Sequence, residues 1–370
     1  MRIVNLLAAA AAAIALPAIA LPAAASAQES VLADAHARVA KYSQLPPFIA
    51  PGPAFDAKAC MAGKTIAVVP LNSAVPFGQD ILNGIRDTAD KVGFKLINWE
   101  NQGEPTQWAA GVTNAINEKA NLVDLMAGVN PATVEPQIEQ ATAAGITVNA
   151  SHFYDYSQKP LAALSSHVPN NFAEIGRILA SWAIDKTGGK ANVLVIGSDE
   201  VTPTAPFVDA IRTMMESCKE CSFTYQNVPV NDWSTRLQSV VQSTLLAKPE
   251  INYILPIYDG AVQFIVPAIA ITGRQDDVKI ASFNGSPFVL DMIQNGDVEM
   301  DVGESPDWLG HVIADHDMRL LCNAPREGNP NIPLMIFSAA NAETAGKPAS
   351  SIKGYGTDYV AKFEALWGLK

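Results

Sequence analysis

The sequence predicts an α/β chain made of two similar, doubly wound parallel-sheet lobes. Three observations carry that expectation. Strand-length stretches alternate with amphipathic helical patterns through most of the chain, in the order TIAVVP, FKLINW, LVDLMAG, ITVNAS, LAALSS, NVLVIGS, FTYQNVPV, NYILPIY, VKIASFN and VEMDVGE. Most of these stretches are apolar, as in strands covered on both faces of a parallel sheet. There are about ten of them, too many for one comfortable sheet and suited to two of five or six strands.

Taken in order, the chain opens with Arg2, the run LLAAAAAAIALPAIALPAA, and the small residues Ala25, Ser26 and Ala27. A charged start, an apolar core and a small-x-small site make residues 1–27 an export signal, cut before Gln28. No cysteine stands at the cut, so a lipoprotein anchor is not expected. Residues 28–61 hold a helical pattern, VLADAHARVAKY, and a proline-rich connector, LPPFIAPGPAFDAKA. A first lobe is expected over 62–169 plus 305–332. In its opening helix Phe77, Ile81, Leu82, Ile85, Ala89 and Val92 recur at helical spacing. The break falls at SSHVPNNF, where Pro169 and Asn170 precede a helix beginning near Phe172. A second lobe is expected over 170–304 plus 333–345, ending with the strand PLMIFSA. The chain thus crosses between lobes more than once, and repeated crossings act as a hinge. In the extension 346–370, Tyr359, Phe363 and Trp367 lie at i, i+4 and i+8, a stripe that either packs back on a lobe or docks a partner.

The formal net charge is −12, with 25 basic against 37 acidic residues and no basic run. That balance argues against nucleic acid or an anionic membrane as partner. Four cysteines in an exported chain favour pairing. Cys218 and Cys221 are close enough for a small loop disulfide, which leaves Cys60 to pair with Cys322. Only one close pair exists, so no zinc site is expected, and no other metal or cofactor is called for.

In open α/β sheets, ligands bind beyond the carboxyl ends of the strands. The sequence places there Ser73, Pro76 and Phe77; Ser151, His152, Phe153 and Tyr154; Asp199 and Glu200; Asn231, Asp232 and Trp233; Tyr258 and Asp259; Asn284; and Glu304. Rings alternate with hydrogen-bonding side chains, which suits a small polar solute with apolar faces. Each residue also has a plainer use. Phe77 opens the core face of a helix, Asp232 caps the helix starting at Trp233, Trp233 packs that helix, His152 and Asp259 shape turns, and Glu304 sits in a solvated loop.

At this point the residues resemble a known family. KTIAVVPLNSAVPFGQDILNGIRDTADKVGF, ANLVDLMAGVNPATVEPQIEQATAAGITV, YILPIYDGA and IASFNGSPFVLDMIQNG are similar to periplasmic substrate-binding proteins of the ribose-binding type, the soluble receptors of ABC importers. The resemblance covers roughly residues 62 to 345 and implies the type I periplasmic binding protein fold. It implies a monomer in the periplasm that closes two lobes on a solute and delivers it to a membrane permease. By the same resemblance Phe77 and Trp233 match rings that pack on the solute. His152 and Phe153 fall where an Asp and an Arg are usual, Tyr258 where an Asn is, Asn284 where an acidic residue is, and Glu304 where a Gln is. Ala205 stands about where an arginine grips hydroxyls. These departures point away from a plain aldopentose or aldohexose and leave polyols and non-sugar solutes, including small aromatics, open. The binding set is therefore Ser73, Phe77, His152, Phe153, Trp233, Tyr258, Asp259, Asn284 and Glu304.

An enzyme is not expected, since neither a G-x-S-x-G elbow nor an H-E-x-x-H helix occurs. His311 and His316 are not spaced i, i+4 and read as part of a solvated helix. A periplasmic sensory receptor for a chemoreceptor or kinase is the competing reading, because it uses the same closing cleft.

Overall fold

A computed structural model describes residues 23–369. Helix α1 (Ala23–Tyr42) leads through an irregular segment to the short α2 (Ala57–Met61). The first lobe follows as β1 (Thr65–Pro70), α3 (Pro76–Val92), β2 (Lys95–Asn98), α4 (Pro105–Asn117), β3 (Leu122–Met126), α5 (Glu135–Ala143), β4 (Thr147–Asp155) and β5 (Ser166–Asn170). The second contains α6 (Phe172–Lys186), β6 (Asn192–Gly197), α7 (Thr204–Ser217), β7 (Ser222–Asn227), α8 (Gln238–Ala247), β8 (Tyr253–Pro256), α9 (Val262–Ile271), β9 (Lys279–Asn284), α10 (Pro287–Asn295) and β10 (Met300–Gly303). The chain then returns to the first lobe as α11 (Pro306–Cys322), re-enters the second as β11 (Met335–Ser338), and ends with α12 (Ser351–Tyr355) and α13 (Asp358–Leu366).

Two sheets form, ordered β2-β1-β3-β4-β5 and β11-β10-β9-β8-β6-β7. All pairings are parallel except β10 with β11, an antiparallel edge that the alternating pattern did not announce. Strand periodicity explains the layers. Ala67, Val69 and Leu125 pack with Trp108, Val112 and Ile138 on one face of the first sheet, while Ile66, Val68 and Met126 meet Ile81, Ile85 and Leu309 on the other. Helices α3 and α11 cross so closely that a Cβ on Gly84 would stand 2.3 Å from the Asp307 carbonyl oxygen, and one on Gly310 2.2 Å from that of Ile81. Glycine at both positions is what permits the crossing.

Two expectations are corrected. LAALSS is not a strand: a turn bond from Leu164 N to the Leu161 carbonyl follows Pro160, and the fifth strand is Ser166–Asn170 instead. Its Pro169 is tolerated because this is the sheet edge. Helix α11 is not solvated. His311 is 1 % exposed, and the half-buried His316 accepts or donates a bond at 2.9 Å to Ser166 Oγ. Burial holds the His316 imidazole down to about 3.

The cysteines pair as Cys60–Cys322 and Cys218–Cys221. Tyr359, Phe363 and Trp367 are buried against α11, with Tyr359 stacked on Trp308 at 4.5 Å and Trp367 Nε1 donating to Asp315 at 2.9 Å. Residues 1–22, which carry most of the expected export signal, lie outside the described residues; α1 begins before the expected cut at Gln28. No described helix is long and apolar enough to cross a membrane.

Candidate functional site

The lobes meet where β5 passes into α6 and β10 into α11, and three strand-end side chains converge there. His152 on β4 takes a left-handed backbone, φ 54°. Its Nε2 lies 2.6 Å from Glu304 Oε1, and Asn170 Nδ2 donates to Glu304 Oε2 at 2.7 Å. Asn170 Nδ2 also lies 3.1 Å from His152 Nε2, so the three side chains form one closed cluster. His152 is 7 % exposed, Asn170 1 % and Glu304 0 %, so Glu304 is buried and fully engaged rather than in a solvated loop. A left-handed histidine costs about 1 kcal/mol and persists where its surroundings fix it. Here the carboxylate and two flanking rings do so: Phe77 at 5.4 Å and Phe172 at 5.3 Å.

From this floor a row of rings runs into the second lobe. Phe172 meets Phe283 edge-on at 6.2 Å, and Phe283 meets Tyr258 at 6.3 Å. Phe77 is half-buried at the start of α3, where Pro76 occupies the first helical position and needs no N–H partner. Tyr258 is also half-buried, and burial with the carboxylates of Glu304 and Glu200 pushes its hydroxyl well up, so it stays a neutral donor.

On the second lobe Asp259 and Asp301 build the turn after β9. Asp259 accepts from Ser286 N at 2.8 Å and Ser286 Oγ at 3.0 Å; Asp301 accepts from Gly285 N at 2.7 Å and Ser282 Oγ at 2.6 Å. Burial raises Asp301 to about 6, and burial with the neighbouring Asp301 charge raises Asp259 further. A Cβ on Gly285, φ 77°, would stand 2.8 Å from Gly303 Cα, so the turn needs glycine. Asn284 beside it keeps Oδ1 buried with no partner among the described residues.

Of the nine residues expected to line the site, the ring row and hydrogen bonds link Phe77, His152, Glu304 and Tyr258, with Asp259 and Asn284 on the adjoining turn. Three stand apart. Ser73 bonds the Asn101 backbone, with Oγ accepting at 3.0 Å, and lines a separate hollow of about 270 Å³ between α3 and β2 that includes Gln79, Arg86 and Asn98. None of the ring row lines that hollow. Phe153 is in the first-lobe core, edge-on to Tyr154 at 4.8 Å. Trp233 is 9 % exposed, with Nε1 donating to the Val228 carbonyl at 3.0 Å. Asp232 does not cap its helix; it pairs with Arg236 at 2.7 Å.

Sequence reasoning missed Asn170 and Phe172 as site residues, using NNF only to mark the lobe boundary. The signal was present, since Asn170 ends a strand as the other site residues do. No cluster of three metal-ligating side chains occurs among the described residues.

The profile of the periplasmic binding protein domain matches residues 66–323, so the chain belongs to that family. The ribose import binding protein RbsB of Salmonella typhimurium is 23 % identical over 255 residues, 68 % of this chain and 82 % of the relative. RbsB of Escherichia coli is 22 % identical over the same shares. Among solved structures, the solute-binding protein of a 5-methylthioribose transporter from Thermotoga lettingae superposes with a TM-score of 0.68 at 16 % identity, covering 83 % of this chain and 97 % of that one. The binding protein of an arabinose ABC transporter from Shewanella superposes at 0.66 with 17 % identity, covering 81 % and 98 %.

Proposed function

We propose that this protein binds one small uncharged polar solute, a sugar, polyol or related compound, between its lobes and delivers it to the permease of an ABC importer. The observation that supports the reading most is the arrangement at the lobe junction, where a preformed His152, Asn170 and Glu304 floor is flanked by Phe77 on one lobe and Tyr258 on the other. Flat rings take the apolar faces of a solute, and the Tyr258 hydroxyl, Asn284 Oδ1 and outer atoms of the floor take its hydroxyls. The relatives named for ribose, arabinose and 5-methylthioribose fit such chemistry.

The mechanism is a population shift. A solute that touches both lobes binds the closed arrangement better than an open one, and that difference in affinity alone drives closure. His152 and Glu304 need no rearrangement to serve, because their hydrogen bonds already hold them. The strand-end loops carry Glu100, Glu104, Asp155, Asp199 and Glu200 with Lys159 as their basic residue, which disfavours an anionic solute. Ser73, Phe153 and Trp233 then act by packing and by holding loops, not by touching the solute.

The test is a thermal-shift screen of the exported protein across sugars, polyols, amino acids, sugar acids and small aromatics, because a bound solute raises the melting temperature by mass action. A neutral sugar, polyol or deoxysugar giving the largest shift is expected. A response confined to amino acids or acids would contradict the reading.

A further inference from the structure

We propose that the two terminal extensions form a belt that ties the lobes together across the hinge and holds the unliganded protein near the arrangement seen here. Each extension is anchored in both lobes. Helix α1 lies on the second lobe, where Arg38 pairs with Glu174 of α6 at 3.0 Å and Tyr42 donates to the same carboxylate at 3.2 Å. Phe48 is already on the first lobe, 6.0 Å from Trp308 of α11 and 5.0 Å from Phe363.

Six steps of chain join Tyr42 to Phe48, and they include Pro46 and Pro47. A segment that short spans at most about 20 Å even when fully extended, and prolines make it a stiff spacer rather than a slack one. Farther along, the Pro51 carbonyl accepts from Glu327 N at 2.8 Å, and the Pro53 carbonyl accepts from Arg319 Nη1 at 2.8 Å. The strut is thereby bonded to the third crossing between the lobes. Cys60 then fixes it covalently to Cys322 at the end of α11.

The carboxyl-terminal extension makes the same passage in the same direction. Ala349 N donates to Asp291 of α10 at 3.0 Å, on the second lobe, whereas Tyr359, Phe363 and Trp367 are seated on α11. Between these anchors Tyr355 is wedged at the junction, 3 % exposed. Its ring meets Phe337 of β11 at 5.6 Å and Trp308 of α11 at 6.5 Å, and its hydroxyl donates to the Gly303 carbonyl at the start of the second crossing. The two extensions also bond each other, Phe55 N to the Leu366 carbonyl at 2.8 Å and Ala57 N to the Trp367 carbonyl at 3.2 Å.

Contacts that span two bodies in one relative arrangement stabilise that arrangement over others. Three crossings define the hinge, and the belt adds two more connections made of buried rings and backbone hydrogen bonds. Its effect is to narrow the range of lobe angles before any solute arrives.

The experiment needs no ligand. Spin labels at Ala143→Cys and Ala247→Cys, both exposed helix-end positions on opposite lobes, report the interlobe distance in the full exported chain by pulsed electron resonance. Pro46→Gly with Pro47→Gly softens the strut without touching a buried contact, and Tyr355→Phe removes only the hydroxyl bond to Gly303. Expected are a narrow distribution for the unaltered belt, a broader one shifted to longer distance for the double glycine variant, and a smaller broadening for Tyr355→Phe. Three superimposable distributions, or an unaltered belt as broad as the glycine variant, would overturn the proposal.

Discussion

Each lobe buries a pair of aspartates beneath its strand ends, and the pairs serve different tasks. In the first lobe Asp124 of β3 and Asp317 of α11 share a site with Asn149, whose Nδ2 donates to Asp124 at 2.7 Å and Asp317 at 2.9 Å, and with Ser151, which donates to Asp124 at 2.6 Å. That pair fastens the sheet to the returning helix. In the second lobe Asp259 and Asp301 spend their lone pairs on residues 282–286, the turn beside Asn284. The same device, two carboxyl groups too buried to ionise together, joins sheet to helix in one lobe and shapes the turn beside Asn284 in the other.

The largest expected effect breaks the second pair. Asp301→Ala strips partners from Ser282 and Gly285 N and is expected to cost about 3 kcal/mol of stability and to weaken solute binding by at least about tenfold. Calorimetry of unfolding and of binding would check both. Binding as tight as in the unaltered protein would mean that the turn does not face the solute.

Next, Asp124→Asn acts on stability alone. Burial raises Asp124 to about 7, and burial with the Asp124 charge raises Asp317. A carboxyl whose folded value is raised holds its proton better folded than unfolded, so its contribution is full below about pH 4 and is lost as pH rises through about 7. The variant is expected to flatten that decline by on the order of 2 kcal/mol between pH 4 and 8, with solute affinity unchanged. Denaturation curves across that range decide the matter, and an unaltered slope would show that the buried Asp124 carboxyl does not carry the pH dependence.

Phe77→Ala is expected to weaken binding by about 1–2 kcal/mol and leave the melting temperature nearly unchanged, since this ring is only half-buried. Tyr258→Phe should be the mildest, about 1 kcal/mol in binding, because it deletes one hydroxyl and keeps the ring. Equal losses of stability and binding in either variant would reassign that ring to the core.

Much of the fold was legible because its signals are local. Apolar strands announced two sheets of five or six strands, the α3 stripe announced its buried face, and Pro169–Asn170 announced the helix that begins at Phe172. The antiparallel β11 and the displaced fifth strand were not legible, since pairing direction and a turn after Pro160 depend on partners distant in sequence. The site divided along the same line. Strand-end position put His152, Glu304 and Tyr258 in one neighbourhood, but it could not distinguish Phe153, which faces the core, from His152 beside it, whose left-handed backbone turns the ring toward Glu304. Composition likewise could not show that Trp233 spends its indole N–H on the Val228 carbonyl and packs its ring beside Gly260.

The central claim is that a solute sits at the lobe junction, and a crystal structure of the protein with the solute that most raises its melting temperature tests it directly. The account predicts density between Phe77 and Tyr258, above His152 and Glu304, in contact with both lobes. Density confined to the hollow beside Arg86, or touching one lobe only, would contradict it.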